Sequence, residues 1–122
     1  MIQSVLTGNL QLIARIKLDL MGLTRFLDLE SGAYGSDHHR RTELAPIAAA
    51  RAAQRYGRAF AGTDVVVIGD TPHDIDCGRA ADARTIAVAT GPFSAAALRG
   101  HGADIVLENL ADTDAVIAAI LG

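Results

Sequence analysis

The chain has 122 residues and a formal net charge of −3, with half of its residues apolar and only 4% aromatic. That composition excludes intrinsic disorder, and the mild acidity offers no electrostatic footprint for nucleic acid or an anionic membrane surface. No apolar run nears the roughly 18 residues that span a bilayer, no basic segment precedes Ile2, and the one cysteine, Cys77, has no partner for an internal disulfide; residence in the cytoplasm is the expectation.

Residues 2–6 read as a strand. The spacing of Ile13, Ile16, Leu20 and Leu23 predicts a helix over 10–22, with Asn9 as its N-cap and Gly22 at its end. Residues 26–29 read as a short strand, and 31–41, polar and carrying Gly32 and Gly35, as a loop. A helix over 43–56 closes at Gly57. The strongest strand signal is 65–68, four consecutive β-branched apolar residues that read as fully buried. A short helix over 74–82 follows, then a strand over 85–89 ending in Thr90-Gly91-Pro92. Ser94 caps a helix to Arg99, 105–107 form a short strand, and Asp112 caps a last helix with Val116, Ile117, Ile120 and Leu121 on one face. Strand and helix alternate about five times, which argues for a parallel sheet with helices on both faces in one domain, 1–122.

Two places carry chemistry. Asp70 follows Gly69 at the carboxyl end of the best strand, and Asp74 follows four residues later. Open parallel sheets bind ligands just outside the carboxyl ends of their strands. A carboxylate pair there, with Thr71 between, suits Mg²⁺, which takes oxygen ligands and keeps several waters; Asp74 reads equally as a helix cap. The first strand ends in Thr7-Gly8-Asn9. Its glycine admits close backbone approach, and the following helix start offers N–H groups to an anion. Helix capping by Thr7 and Asn9 accounts for the same residues. His38 and His39 are adjacent without a third ligand, a poor zinc site. His73 and His101 read as surface residues, and Cys77 as a small buried thiol.

Taken in order, Thr7-Gly8-Asn9, a basic residue before a helix, and Gly69-Asp70-Thr71-x-x-Asp74 resemble the haloacid dehalogenase (HAD) superfamily of hydrolases. The tail, 86–91 with Leu98 and Gly102-Ala103-Asp104, resembles its phosphoglycolate-phosphatase-like members. The resemblance implies a Rossmann-like three-layer α/β/α fold with a mostly parallel sheet. It also implies Mg²⁺-dependent hydrolysis of a small phosphorylated substrate through an aspartyl-phosphate. It assigns Thr7 and Arg41 to the phosphoryl group, with Gly8 and Asn9 beside them, and Asp70 and Asp74 to Mg²⁺. The family's Lys followed by Pro-x-Pro is Arg40-Arg41-Thr42 here, so the basic role lies between Arg40 and Arg41.

The family's nucleophile, an Asp-x-Asp after the first strand, has no counterpart in these residues, and neither does its cap domain. The chain resembles the C-terminal part of the core without the central first strand. The resemblance therefore implies little turnover by the chain alone, and self-association through strand edges left unpaired, a shifted pairing, or marginal stability. The alternative is a non-catalytic module that binds Mg²⁺, phosphate or a partner chain.

Overall fold

The computed structural model describes residues 1–60 and 62–122. The chain divides into two compact units, Met1–Phe60 and Ala61–Gly122.

In the first unit, β1 (Leu6–Thr7), α1 (Gln11–Leu20), β2 (Ala33–Tyr34) and α2 (Leu44–Tyr56) follow in order. β1 and β2 run parallel, with Leu6 opposite Ala33 and Thr7 opposite Tyr34. The strand expected over 2–6 is thus confined to its carboxyl end. Upstream, the Gln3 and Val5 carbonyls accept from Asp28 N and Ala33 N at 2.8 and 3.1 Å, which satisfies the backbone without a longer ladder. The strand expected over 26–29 is replaced by two 3₁₀ turns, Thr24–Phe26 and Leu29–Ser31. Asp28 is the reason. Its carboxylate accepts from Glu30 N at 3.2 Å and Ser31 Oγ at 2.8 Å, a local alternative to sheet pairing. Inside the expected loop, Ala33 and Tyr34 form β2 and are fully buried, and the Tyr34 hydroxyl donates to Leu29 O at 2.7 Å.

The N-cap of α1 is Leu10 rather than Asn9, and Gly22 stands just past the helix with φ +70°, the left-handed conformation that glycine adopts most readily. The apolar stripe expected to face the core is turned outward. Ala14 is buried, whereas Ile13, Ile16 and Leu20 are 44, 52 and 83% exposed. α2 starts with buried Leu44 and Ala45 and ends at Gly57, as the sequence predicts.

The second unit holds β3 (Val66–Gly69), α3 (Pro72–Ala80), β4 (Arg84–Val88), α4 (Ala95–His101), β5 (Ile105–Leu107) and α5 (Thr113–Leu121). Its strands form a parallel sheet in the order β3-β4-β5, with Ile68 opposite Ile86 and Ile86 opposite Ile105. Ile75 from α3, Ala87 from β4 and Leu98 from α4 make the core. α3 lies close on the sheet because of Gly78: a Cβ there would stand 2.3 Å from Thr85 Cγ2. Ser94 and Asp112 cap α4 and α5 by accepting from Ala97 N and Ala115 N, both at 3.1 Å. The Arg84 guanidinium donates to Ala119 O and Ile120 O at 2.6 and 3.0 Å, which puts a cation on the carboxyl end of α5.

Parallel strands joined by helices make this a Rossmann-like α/β fold. β1 and β3 are edge strands of their own sheets. No helix among the described residues is long and apolar enough to cross a membrane.

Leu98 is fully buried in that core, against Ile75 and Ala87. Leu98→Ala is therefore expected to lower unfolding stability by about 2–5 kcal/mol, the cost of the lost transfer energy plus the cavity. Urea denaturation followed by circular dichroism checks this; a loss under about 1 kcal/mol contradicts the packing described.

Candidate functional site

In the second unit the site is the turn from β3 into α3. Gly69 ends the strand, Asp70 follows, and Thr71 is the N-cap of α3 with Pro72 in the first turn. Proline suits that position, because its missing N–H would have had no partner in the helix. Asp74, in the same turn, folds its side chain back. Its Oδ2 accepts from Asp70 N, Thr71 N and Thr71 Oγ1, each at 3.0 Å. Gly69 makes the room: a Cβ there would lie 2.1 Å from Asp74 Cγ.

The Asp70 carboxylate lies over the loop that follows β4. A Cβ on Gly91 would sit 2.5 Å from Asp70 Oδ2, so that glycine leaves the carboxylate its space. Asp70 and Asp74 thus have different surroundings. Asp74 stitches the turn together, and Asp70 stands at the carboxyl end of β3 beside a glycine loop. His73 is exposed on α3. His101, read from the sequence as a surface residue, ends α4 and meets Asp76 Oδ1 at 2.9 Å. Cys77 is buried, as expected of an apolar thiol.

In the first unit the site is the turn from β1 into α1. Thr7 Oγ1 accepts from Asn9 N and Asn9 Nδ2, both at 3.1 Å, so the hydroxyl and the amide hold the turn between them. Lys17 Nζ reaches Asn9 Oδ1 at 3.5 Å. The neighbour of Gly8 is Arg41, whose Cδ would lie 3.9 Å from a Cβ placed on that glycine. Arg41 opens the 3₁₀ turn Arg41–Glu43 that leads into α2. Arg40 N donates to His38 Nδ1 at 3.0 Å, and the His38 and His39 rings stack 4.7 Å apart. The structure therefore brings Thr7, Gly8, Asn9 and Arg41 together in this unit, and Asp70 and Asp74 together in the other.

Several residues that shape these turns escape a reading by motif. Asp37 accepts from both Arg51 guanidinium nitrogens, at 2.8 and 2.6 Å, and from Tyr34 N at 2.8 Å. Arg51 also donates to Gly32 O at 2.7 Å. The Arg51 hydrogen bonds outweigh burial and hold the Asp37 carboxyl below the ordinary aspartate value. The only advance signal was an arginine inside an otherwise alanine-rich helix. Gly91, noted in the sequence as a strand end, is also the floor under Asp70.

Residues 40–113 match the HAD-hydrolase-like family. The chain belongs to that family. No curated protein matches this HAD-like chain. Among solved structures it is similar to a predicted phosphatase from Clostridium acetobutylicum, with 19% identity and a TM-score of 0.73 over 99% of this chain and 52% of that one. A conserved haloacid dehalogenase-like protein of unknown function from Agrobacterium tumefaciens is 27% identical, with a TM-score of 0.62 over 89% of this chain and 51% of that one. The HAD-like chain thus spans about half the length of these two structures.

Because Asp37 is held below its ordinary value, the stability it contributes is fully present above that value. It is lost as pH falls through the lowered one. Asp37→Asn is expected to flatten the acid limb of a stability-against-pH curve, measured by urea unfolding at stepped pH. An unchanged acid limb contradicts the ion pair.

Proposed function

We propose that the chain supplies the phosphate-binding and Mg²⁺-binding groups of a phosphohydrolase acting on a small phosphorylated substrate. The observation that carries the reading is Arg41 beside Gly8, against the turn that Thr7 and Asn9 hold, in a chain of a hydrolase family. A guanidinium fork matches phosphate oxygens in both shape and charge. The Clostridium structure, itself described as a predicted phosphatase, supports the same substrate class.

Thr7, Gly8, Asn9 and Arg41 are assigned to the phosphoryl group, and Asp70 and Asp74 to Mg²⁺. No group of three His, Cys, Asp or Glu side chains among the described residues forms a ready-made metal cage. Mg²⁺ does not need one, since it is bound through one or two carboxylates with water and substrate oxygens completing its shell. The hard oxygen donors of Asp70 and its glycine floor fit that demand; Asp74 serves by holding the turn. When bound, the ion would neutralise charge on phosphoryl oxygens. Arg41 does the same from the protein, and Thr7 offers its hydroxyl.

Two Asp-x-Asp spacings occur, Asp74-Ile75-Asp76 within α3 and Asp112-Thr113-Asp114 at the start of α5, and neither stands directly at a strand's carboxyl end. The chain by itself is therefore proposed to bind without turnover. Its edge strand β3, with Ile68 exposed, is the motive for self-association.

Isothermal titration with MgCl₂ is expected to show saturable binding that Asp70→Asn weakens by about tenfold or more, the scale of losing one of very few carboxylate ligands. Equal binding by the two proteins overturns the metal assignment. With Mg²⁺ present, para-nitrophenyl phosphate is expected to survive unhydrolysed. Turnover that Asp70→Asn abolishes overturns the non-catalytic part of the reading.

A further inference from the structure

Residues 34–37 carry none of the phosphate-binding groups, yet Gly35 contacts Gly8 and Asn9 of the Thr7-Gly8-Asn9 turn, and Ser36 contacts Gln11 just beyond it. Gly35 N donates to Asn9 O at 2.9 Å. A Cβ on Gly35 would stand 2.0 Å from Gly8 O and 2.8 Å from Gly8 C. Gln11 N, at the start of α1, donates to Ser36 Oγ at 3.3 Å. Behind this strap, Asp37 is tied to Tyr34 N and to Arg51 of α2, and the Tyr34 side chain is fully buried.

The strap is anchored on one side and in contact with the turn on the other. The contact is backbone against backbone. A flexible side chain can swing away from an added methyl group, but here the Gly8 peptide itself would have to move. Pairing of β1 with β2 ends at Tyr34, so the ladder does not require this approach at Gly35.

We propose that Gly35 is a positioning residue for phosphate binding. Its bare α-carbon lets the strap seat against the Gly8–Asn9 peptide and so sets the turn that Arg41 flanks. Ser36 contributes by fixing the first N–H of α1. The inference rests on the phosphate reading above and adds to it a group that does not touch the ligand. Misplacing a binding turn by a fraction of an ångström is enough to cost affinity while the fold survives.

The test is titration of the ¹⁵N-labelled chain with inorganic phosphate, read at the Gly8 and Asn9 amide signals, with circular dichroism and urea midpoints on the same samples. Saturable shifts are expected in the wild-type chain. Arg41→Ala and Gly35→Ala are each expected to raise the apparent Kd about tenfold or more, with Gly35→Ala keeping a folded spectrum. Ser36→Ala is expected to weaken binding measurably at an unchanged midpoint.

Wild-type affinity in a folded Gly35→Ala overturns the proposal. Should Gly35→Ala not fold, Ser36→Ala decides, and wild-type affinity there overturns it equally. Binding lost in Arg41→Ala but kept in Gly35→Ala refutes the positioning role and leaves the phosphate reading standing. A wild-type chain that never responds to phosphate refutes both.

Discussion

Three donors converge on one atom, Oδ2 of Asp74, and the end of β3 depends on it. A strand that stops and a helix that starts within two residues leave backbone N–H groups with no ladder partner and no helical one. A carboxylate satisfies them better than a neutral acceptor, because hydrogen bonds to an ionised group are shorter and stronger. The bend that brings it there demands an absent side chain at position 69. With the turn closed, Asp70 is carried to the end of the strand, and the loop after β4 must in turn be bare at Gly91 to accommodate its carboxylate. The hydrogen-bonded turn thus goes with two glycines, Gly69 against Asp74 and Gly91 against Asp70, far apart in the chain but local in space.

The first unit closes its turn by other means. No carboxylate caps the turn after β1; the Thr7 hydroxyl and the Asn9 amide bond to each other. Neutral hydrogen bonds of this kind contribute about 1 kcal/mol each, less than a charged cap. A charged pair of this unit, Asp37–Arg51, sits one layer back. Planar guanidinium on carboxylate fixes direction as well as distance. Both units therefore commit a carboxylate to structure rather than leave it to solvent, Asp74 in the turn after β3 and Asp37 in the segment after β2.

Much of the second unit was legible in the sequence. The strand 105–107 and the caps Ser94 and Asp112 sit where the pattern places them, and 65–68 and 85–89 are each displaced by one residue. Those elements are specified by local chemistry: β-branched runs, a capping oxygen, a glycine stop. The first unit was less legible because its elements are short and set by distant partners. A two-residue strand carries no periodicity, and the Asp28 carboxylate converts an apolar run into turns. The Gly-Asp turn and the Thr-Gly-Asn turn were both visible as motifs. Which arginine stands beside Gly8 was not, since Arg40 and Arg41 differ by one step of a 3₁₀ turn that only the fold determines. Nor does a sequence mark a close approach between two backbones, which needs only that both residues be small.

The reversal of α1 shows where periodicity stops being informative. At about 100° per residue, Ala14 and Leu18 share one side of the helix, while Ile13, Ile16 and Leu20 share the opposite one. The sequence pattern identifies the second group as an apolar stripe and, by the usual rule, points it inward. In the structure the first group is the inner one: Ala14 is buried and Leu18 partly so. Two polar contacts accompany that orientation. Arg15 pairs with Glu30, and Lys17 reaches Asn9, from positions flanking Ala14 and Leu18. A small inward residue lets the helix come close to β2, and the charged neighbours meet their partners only in that rotation. Turning the stripe inward would bury more apolar surface but would swing both cations away from their acceptors. An apolar stripe states that a helix has a side to bury but not against what, and within this unit the buried side is the one that carries Ala14.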